Sequence, residues 1–387
     1  MKKVRLAILL THPVQYFVPV FRELVKNENL DVQIFYGCDH GINKTYDPNF
    51  GLSFKWDINL TQGYKYKIIS KLKITELKGL MGIFYSFKAA SQILRFSPKY
   101  VLIFSYSPLF ISFSSIFLKF LGCKLMLRAE VTDKALKRSF LKTFIRDFLL
   151  KNYYKIFDYF FPISLNSIDH YLRLGVSRKK MKLINYSIDV DFFKMQVQKW
   201  SPDRFKLRDE YKIKKSDFVL LYCAKIYPPK NPILIAEALS LIPNDLKKRI
   251  WLFVVGDGIL REEFESKIQE EINTRGIFVG FKNQSELGRY YSLSDTLILP
   301  SKSGETWGLV VNEALQFGKS VVVSDNVGCA RDLVKDSNYG YIFENGNKRD
   351  LANGIKFLSK KINEEINYKN LPHPKDLAKG IFDVVVN

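Results

Sequence analysis

Short apolar runs alternate along the first half of the chain with longer segments of helical periodicity. Val4–Leu10 reads as a buried strand, and Pro13–Lys26 as a helix with proline near its start. Asp31–Tyr36 predicts a second strand, Leu80–Phe96 a helix, and Asp158–Ile163 a later strand followed by a helix from about Ser167. The uncharged run Tyr100–Leu118 has the length of a short membrane span, but Pro108 interrupts it and Lys119 follows it. Strand Tyr100–Ser105, helix Leu109–Leu121 and strand Lys124–Leu127 fit it better. His40–Ser70, rich in Tyr, Lys, Gly and Asn, breaks the alternation and reads as an inserted loop or hairpin.

After a polar, charged stretch (Lys194–Ser216) a second alternating series begins. Strands are predicted at Phe218–Cys223, Trp251–Val255, Gly276–Val279, Thr296–Leu299 and Ser320–Val323. Helices fall between them at Pro232–Leu241, Arg261–Glu271, Ser285–Leu293 and from about Gly308. Alternation of this kind implies α/β architecture, a parallel sheet with helices on both faces. Two such doubly wound units imply a cleft, lined by the loops that leave the carboxyl ends of the strands. The expected division is 1–193, 194–370 and a terminal segment 371–387 placed to cross back to the first unit.

The chain has 387 residues, 47% hydrophobic and 14% aromatic, which suits two folded domains. Cys38, Cys123, Cys223 and Cys329 lack metal-ligand spacing, and so few cysteines fit a reduced, cytoplasmic setting. The basic start Met1–Leu10 mimics a signal peptide, but Thr11-His12-Pro13 ends its short apolar run without a small-residue cleavage site. The net charge of +21 calls for an anionic partner. Zinc-finger patterns and RNA-recognition signatures are absent from the sequence, which argues against nucleic acid. The charge is dense in Lys134–Lys182, with twelve Lys and Arg against three Asp. There Leu136, Phe140, Leu141, Phe144, Ile145, Phe148 and Leu149 recur at helical spacing beside Lys134, Lys137, Arg138, Lys142 and Lys151. An anionic membrane surface is one reading of that segment, and a helix packed on its own domain is the other.

The most informative chemistry lies in Leu299–Leu315, LPSKSGETWGLVVNEAL. A strand leads in and a helix leads out near Gly308, so free helix N–H groups face the loop and suit a diphosphate. Glu305 hangs from the loop, and Glu313 lies more than a turn inside the helix. Carboxylates accept several hydrogen bonds and suit paired hydroxyls of a sugar or ribose. Three other patterns carry less. Gly256-Asp257-Gly258 lacks the third glycine of a dinucleotide fingerprint, Asp189-Val190-Asp191 reads as structural, and Cys329 has no neighbouring base.

Several motifs in order resemble the retaining, nucleotide-sugar-dependent glycosyltransferases of family 4, which have the GT-B fold. The resemblance is strongest from about Phe157 to Val334. It rests on the serine-ended strand FDYFFPIS (157–164), the connector LINYSIDVDFF (183–193) and the basic loop CAKIYPPKN (223–231). Strand ends VVGDG (254–258) and FVGF (278–281) and the paired-glutamate motif complete it. Tyr186-Ser187 replaces the usual Asn-Gly, and Lys225 the usual Arg. The first half departs further. A glycine-rich loop is missing where Thr11–Tyr16 stands, and no histidine follows Leu127-Arg128-Ala129-Glu130.

The resemblance implies two Rossmann-like domains and a retaining transfer from a nucleotide-diphosphate sugar, with a UDP-sugar expected, to a surface polysaccharide or lipid-linked glycan. Catalytic roles would fall to Glu305, Lys230, Lys225 and His12. Glu313, Gly308, Leu309, Val310, Thr306, Trp307, Phe281, Lys282 and Gly256 would line the donor site, although Trp307 also suits plain packing. Gln15, Arg128 and Glu130 would face the acceptor. The nucleotide sugar is a co-substrate, and neither cofactor nor metal is expected, because two lysines and a helix N-terminus offset the diphosphate charge. The expected location is the cytoplasmic face of the cell membrane, with peripheral attachment. Two alternatives stay open: another chemistry on this fold, such as nucleotide-sugar epimerisation, and a basic peripheral-membrane protein that binds donor without turnover.

Overall fold

The computed structural model describes residues 3–42, 45–47, 52–54, 57–134, 139–334, 339–362, 364, 366, 368 and 370–386. The first unit contains β1 (Val4–Leu10), β2 (Leu30–Tyr36), β3 (Thr45–Asp47), β4 (Leu52–Phe54), β5 (Tyr66–Ile68), β6 (Tyr100–Phe104), β7 (Lys124–Arg128) and β8 (Tyr159–Phe160). All but β3 and β4 form one parallel sheet in the order β5-β2-β1-β6-β7-β8. The second unit has β9 (Phe218–Cys223), β10 (Ile250–Val255), β11 (Gly276–Gly280), β12 (Thr296–Leu299), β13 (Ser320–Ser324) and β14 (Gly340–Phe343). Its parallel order, β11-β10-β9-β12-β13-β14, repeats that of the first. Both sheets reverse direction of growth beside their first strand, which opens a crevice at the carboxyl ends of two neighbouring strands.

The central strands are apolar on both faces because helices cover both. Ile8, Leu102, Leu221 and Leu297 are fully or almost fully buried. The Tyr100–Leu118 run divides into β6 and the helix Leu109–Phe120. Among the described residues no helix is long and apolar enough to cross a membrane. His40–Ser70 supplies the antiparallel pair β3–β4 and the parallel edge strand β5, and part of it lies outside the described residues.

Two expectations need correction. Pro13–Lys26 is helical only from Gln15, as a 3-10 turn followed by the helix Val18–Val25. Asp158–Ile163 pairs only at Tyr159–Phe160, at the end of the sheet. The polar, charged stretch Lys194–Ser216 holds most of the helix Val190–Trp200 and the helix Arg204–Asp209. Asp189 caps the first of them through Phe192 N, so an acid of the Asp-Val-Asp pattern is an N-cap.

These helices weld the connector to the second unit. Arg204 and Arg208 both donate to Asp295, at 2.5 and 2.7 Å, and Asp295 also accepts from Val219 N at 2.7 Å. Arg208 is 1% exposed and the Asp295 side chain 7%. At the other end, the helix Pro374–Val386 packs on Val18–Val25, and Lys182 pairs with Asp383 at 2.6 Å. Asp295→Ala should cost about 3–5 kcal/mol, because it strands two buried guanidiniums. Urea unfolding checks this; a loss under about 1 kcal/mol would mean that the cluster does not hold β9 and β12 together.

Candidate active site

The loops after β9 and β12 leave neighbouring strands at the reversal point of the second sheet, and they enclose a cavity of about 480 Å³. Lys225, Lys230, Glu305, Glu313, Gly308, Leu309, Val310, Gly256, Phe281 and Lys282 line it, and Gln15 closes it from the first unit. Ten donor-side residues and one acceptor-side residue named from sequence are thus brought together.

Backbone geometry explains two glycines. Gly256 has φ +138°, and a Cβ there would lie 2.0 Å from Ala224 O, so the two strand ends can approach only with glycine. Gly308, at φ +101°, is the N-cap residue of the helix Leu309–Gln316. A left-handed turn there aims the first helical N–H groups at the cavity.

Lys230 is ion-paired with Glu305, whose carboxylate also accepts from Ser301 Oγ at 3.1 Å. Both side chains are mostly buried, at 19% and 13% exposure. Glu313 is 6% exposed and accepts from Tyr291 OH at 2.6 Å. Burial pushes its carboxyl up to about 7, against the opposing pull of the Tyr291 hydrogen bond. Glu305 and Glu313 therefore differ in kind: one balances a cation, and the other is a buried acid poised near neutrality.

Glu130 stands at the junction of three chain segments. Its Oε1 accepts from Tyr16 OH at 3.0 Å and Tyr186 OH at 2.9 Å, and its Oε2 from Thr306 Oγ1 at 3.0 Å. It thereby ties the loop after β1 and the connector to the glutamate loop of the second unit. Thr306 is spent on that contact and does not line the cavity.

Three more assignments do not survive. Arg128 is 1% exposed and donates to the carbonyls of Phe161 and Ile184, at 3.4 and 2.8 Å, with its guanidinium 4.7 Å from the Tyr186 ring. It anchors the connector and does not face the acceptor. Trp307 is 2% exposed and donates to Asn312 Oδ1 at 2.7 Å, so it packs under the helix. His12 does not line the cavity. Its Nδ1 lies 2.8 Å from Thr11 Oγ1 and its ring packs edge-on to His40; burial, then His40, lower its pKa to about 4. Cys329 is fully buried, its thiol pushed well up by burial, which fits packing.

Tyr16, Tyr227 and Gln284 also line the cavity and were not singled out in the sequence. Gln284 had a signal. Asn283 and Glu286 form a capping box, so the sequence Asn-Gln-Ser-Glu marks a helix start and puts Gln284 at its first position, beside Lys282. Among the described residues no cluster of three or more His, Cys, Asp or Glu is placed to hold a metal ion.

Residues 203–370 match the family model described as glycosyl transferases group 1. A lipopolysaccharide 1,2-N-acetylglucosaminetransferase of Salmonella typhimurium is 31% identical over 143 residues, which cover 35% of this chain and 37% of that protein. A UDP-Gal:alpha-D-GlcNAc-diphosphoundecaprenol alpha-1,3-galactosyltransferase of Escherichia coli is 27% identical over 228 residues, 55% of this chain and 57% of that protein. The chain thus spans under two thirds of either relative. A glycosyltransferase structure from Rickettsia africae has a TM-score of 0.68 at 16% identity, covering 100% of this chain and 94% of that one. That likeness concerns the fold, two doubly wound units facing across a cleft. Residues 203–370 are thus similar to the group 1 glycosyltransferases, and the chain has the GT-B fold.

Proposed function

We propose that the protein is a retaining glycosyltransferase that moves a sugar from a UDP-sugar to a lipopolysaccharide, surface polysaccharide or lipid-linked glycan. The observation that carries this reading is the cavity in which Lys225, Lys230, Glu305, Glu313 and a helix N-terminus converge. The E. coli relative's name gives UDP-galactose and a diphosphoundecaprenol-linked sugar, and the Salmonella relative's name gives lipopolysaccharide. The first supports a nucleotide-sugar donor, and both support an acceptor that is glycan or lipid-linked.

In this reading the diphosphate sits against the backbone of Gly308 and Leu309, Glu313 accepts from the ribose hydroxyls, and Glu305 accepts from the donor sugar. Lys230 shifts from Glu305 toward the diphosphate, where Lys225 joins it. Both lysines offset the charge that grows on the phosphate oxygen as its bond to the anomeric carbon breaks. The acceptor hydroxyl oxygen bonds to the same face of that carbon, and its proton passes to the departing phosphate oxygen. No protein base is required, so His12, which lies off the cavity, has no part in the step. The enzyme works at the cytoplasmic face of the membrane, where its acceptor lies.

Release of nucleoside diphosphate from a panel of nucleotide sugars, with and without glycan acceptors, tests the reading. Transfer should follow donor consumption; epimerisation, or binding without turnover, would overturn it. Activity should persist in excess chelator, and loss that magnesium or manganese restores would count against a metal-free site. Lys230→Ala should lower kcat by about 10²–10³ with a smaller change in the donor KM. An effect on KM alone would make Lys230 a binding contact.

The raised pKa of Glu313 gives a pH test. Its folded pKa lies above the unfolded carboxylate value, so the free protein holds a proton here that the unfolded chain releases. This contribution to stability is present below about pH 4.5 and lost as pH rises toward 7. Ribose hydroxyls favour the carboxylate, so nucleotide binding near pH 6 should release a proton and should weaken as pH falls. Calorimetry in two buffers of unlike ionisation heat measures that proton, and Glu313→Gln should abolish it. Binding with no proton release in the parent would remove the ribose role.

A further inference from the structure

The helix Phe140–Tyr154 is amphipathic, yet it is seated with its polar side inward. Arg146 and Asp147 pair with each other at 3.2 Å, and Asp147 and Asp133 both pair with Arg173 beneath the helix. Leu150 and Tyr154 complete the contact with the domain. The opposite side carries Phe140, Leu141, Phe144, Ile145, Phe148 and Leu149, between 50% and 87% exposed. Folding alone does not account for such a face, because a helix that packs on its own domain buries its apolar stripe. Leu136, Lys137 and Arg138, which the sequence added to this stripe and its rim, lie outside the described residues.

The neighbouring helices extend the same surface. Crossovers β6–β7 and β7–β8 advance in one direction across the sheet, so Leu109–Phe120 and Phe140–Tyr154 lie on one face of it. Tyr153 OH donates to Ser115 Oγ at 2.9 Å, and the Phe87 and Phe117 rings stack at 4.0 Å, which joins Leu80–Phe96 to the layer. Leu80, Met81, Phe84 and Phe87 are 48–82% exposed, and Phe120 is 86% exposed. Exposed apolar side chains gathered on one layer in this way mark an interaction site.

Charge identifies the occupant. Lys78, Lys88, Arg95, Lys142, Lys151 and Lys155 are exposed on these helices or at their ends. A second copy of the chain would bring two such basic rims together, whereas an anionic lipid surface complements the rim and accepts the rings. The layer also reaches the cleft, since helices that follow parallel strands begin at the carboxyl edge. Lys134, five residues before Ser139 and Phe140, donates to Asp325 O of the second unit at 3.4 Å.

We propose that the outer face of this three-helix layer inserts among the headgroups and upper acyl chains of an anionic bilayer, holding the cleft mouth at the membrane. This deepens the reading of a membrane-bound acceptor and rests on that reading only for the acceptor, not for the surface itself. Insertion differs from purely electrostatic docking in its response to salt, because screening weakens the lysine contacts and leaves the apolar ones.

The full chain should co-sediment with vesicles of phosphatidylcholine and phosphatidylglycerol, and a substantial fraction should remain bound at 1 M salt, where the Debye length is about 3 Å. Phe144→Ser with Phe148→Ser, and separately Phe84→Ser with Phe87→Ser, should each lower partitioning at least about tenfold while donor consumption with a water-soluble acceptor is retained. In Phe144→Trp the introduced indole should be quenched by lipids brominated on the acyl chain, an observation that does not depend on the serine variants folding. Complete release by salt with no quenching would overturn insertion. So would unchanged partitioning of both serine pairs, or a dimer in the parent that these substitutions dissociate without any vesicle binding. Vesicle binding in a chain that transfers no sugar would leave this surface standing and remove the proposed activity instead.

Discussion

The cavity depends on one pairing, that of β9 with β12. Their loops come from distant parts of the sequence, and the parallel register between Leu220–Leu221 and Thr296–Leu297 sets them side by side. Asp295 reinforces that register, because its carboxylate takes the Val219 N–H from a residue 76 positions away while holding two arginines of the connector. A slip of one residue would turn Leu221 and Leu297 from one layer of the core to the other. The same slip would part Lys230 from Glu305. Core packing and site geometry are therefore set by one contact.

Within the cavity, burial does different work on the two glutamates. Glu305 lies beside Lys230 and Ser301, so its charge is compensated while the site is empty. Glu313 has a phenol for a partner, and a neutral donor does not offset the loss of water around a carboxylate. A ligand that supplies further hydroxyl donors repairs that deficit. A ligand that supplies anionic oxygens instead competes for Lys230. A nucleotide sugar, the donor we propose, offers both.

The sequence made the second unit legible because its signals are local. Strand–loop–helix alternation, Gly308 before an apolar periodic run, and the basic loop at 223–231 each sit within one short segment. The first unit was harder to read, since its important contacts join distant segments. Arg128 at a strand end looks like a cleft residue until Phe161, Ile184 and the Tyr186 ring fold around it. Glu130 gains its meaning from Tyr16, Tyr186 and Thr306, none of which is near it in sequence. Tyr186-Ser187, a departure from the family pattern in the connector, places a phenol on that carboxylate, so the departure and the missing first-unit histidine belong to one rearranged corner.

The helix Phe140–Tyr154 shows where periodicity stops being informative. Its spacing declares two faces but cannot say which face meets the domain, and a packed helix and a docking helix have the same pattern. The answer lies in charges on other elements. Asp133 and Arg173 offer the domain side an ionic seat, so Arg146 and Asp147 turn inward and the phenylalanines turn out. Burying the other face would trade those ion pairs for solvated charges, a small loss, since partly exposed pairs contribute about 1 kcal/mol or less each. It would gain the burial of several large rings, worth more per residue. The helix nonetheless keeps its rings outward, and in the membrane surface proposed above they would meet an apolar medium other than their own domain.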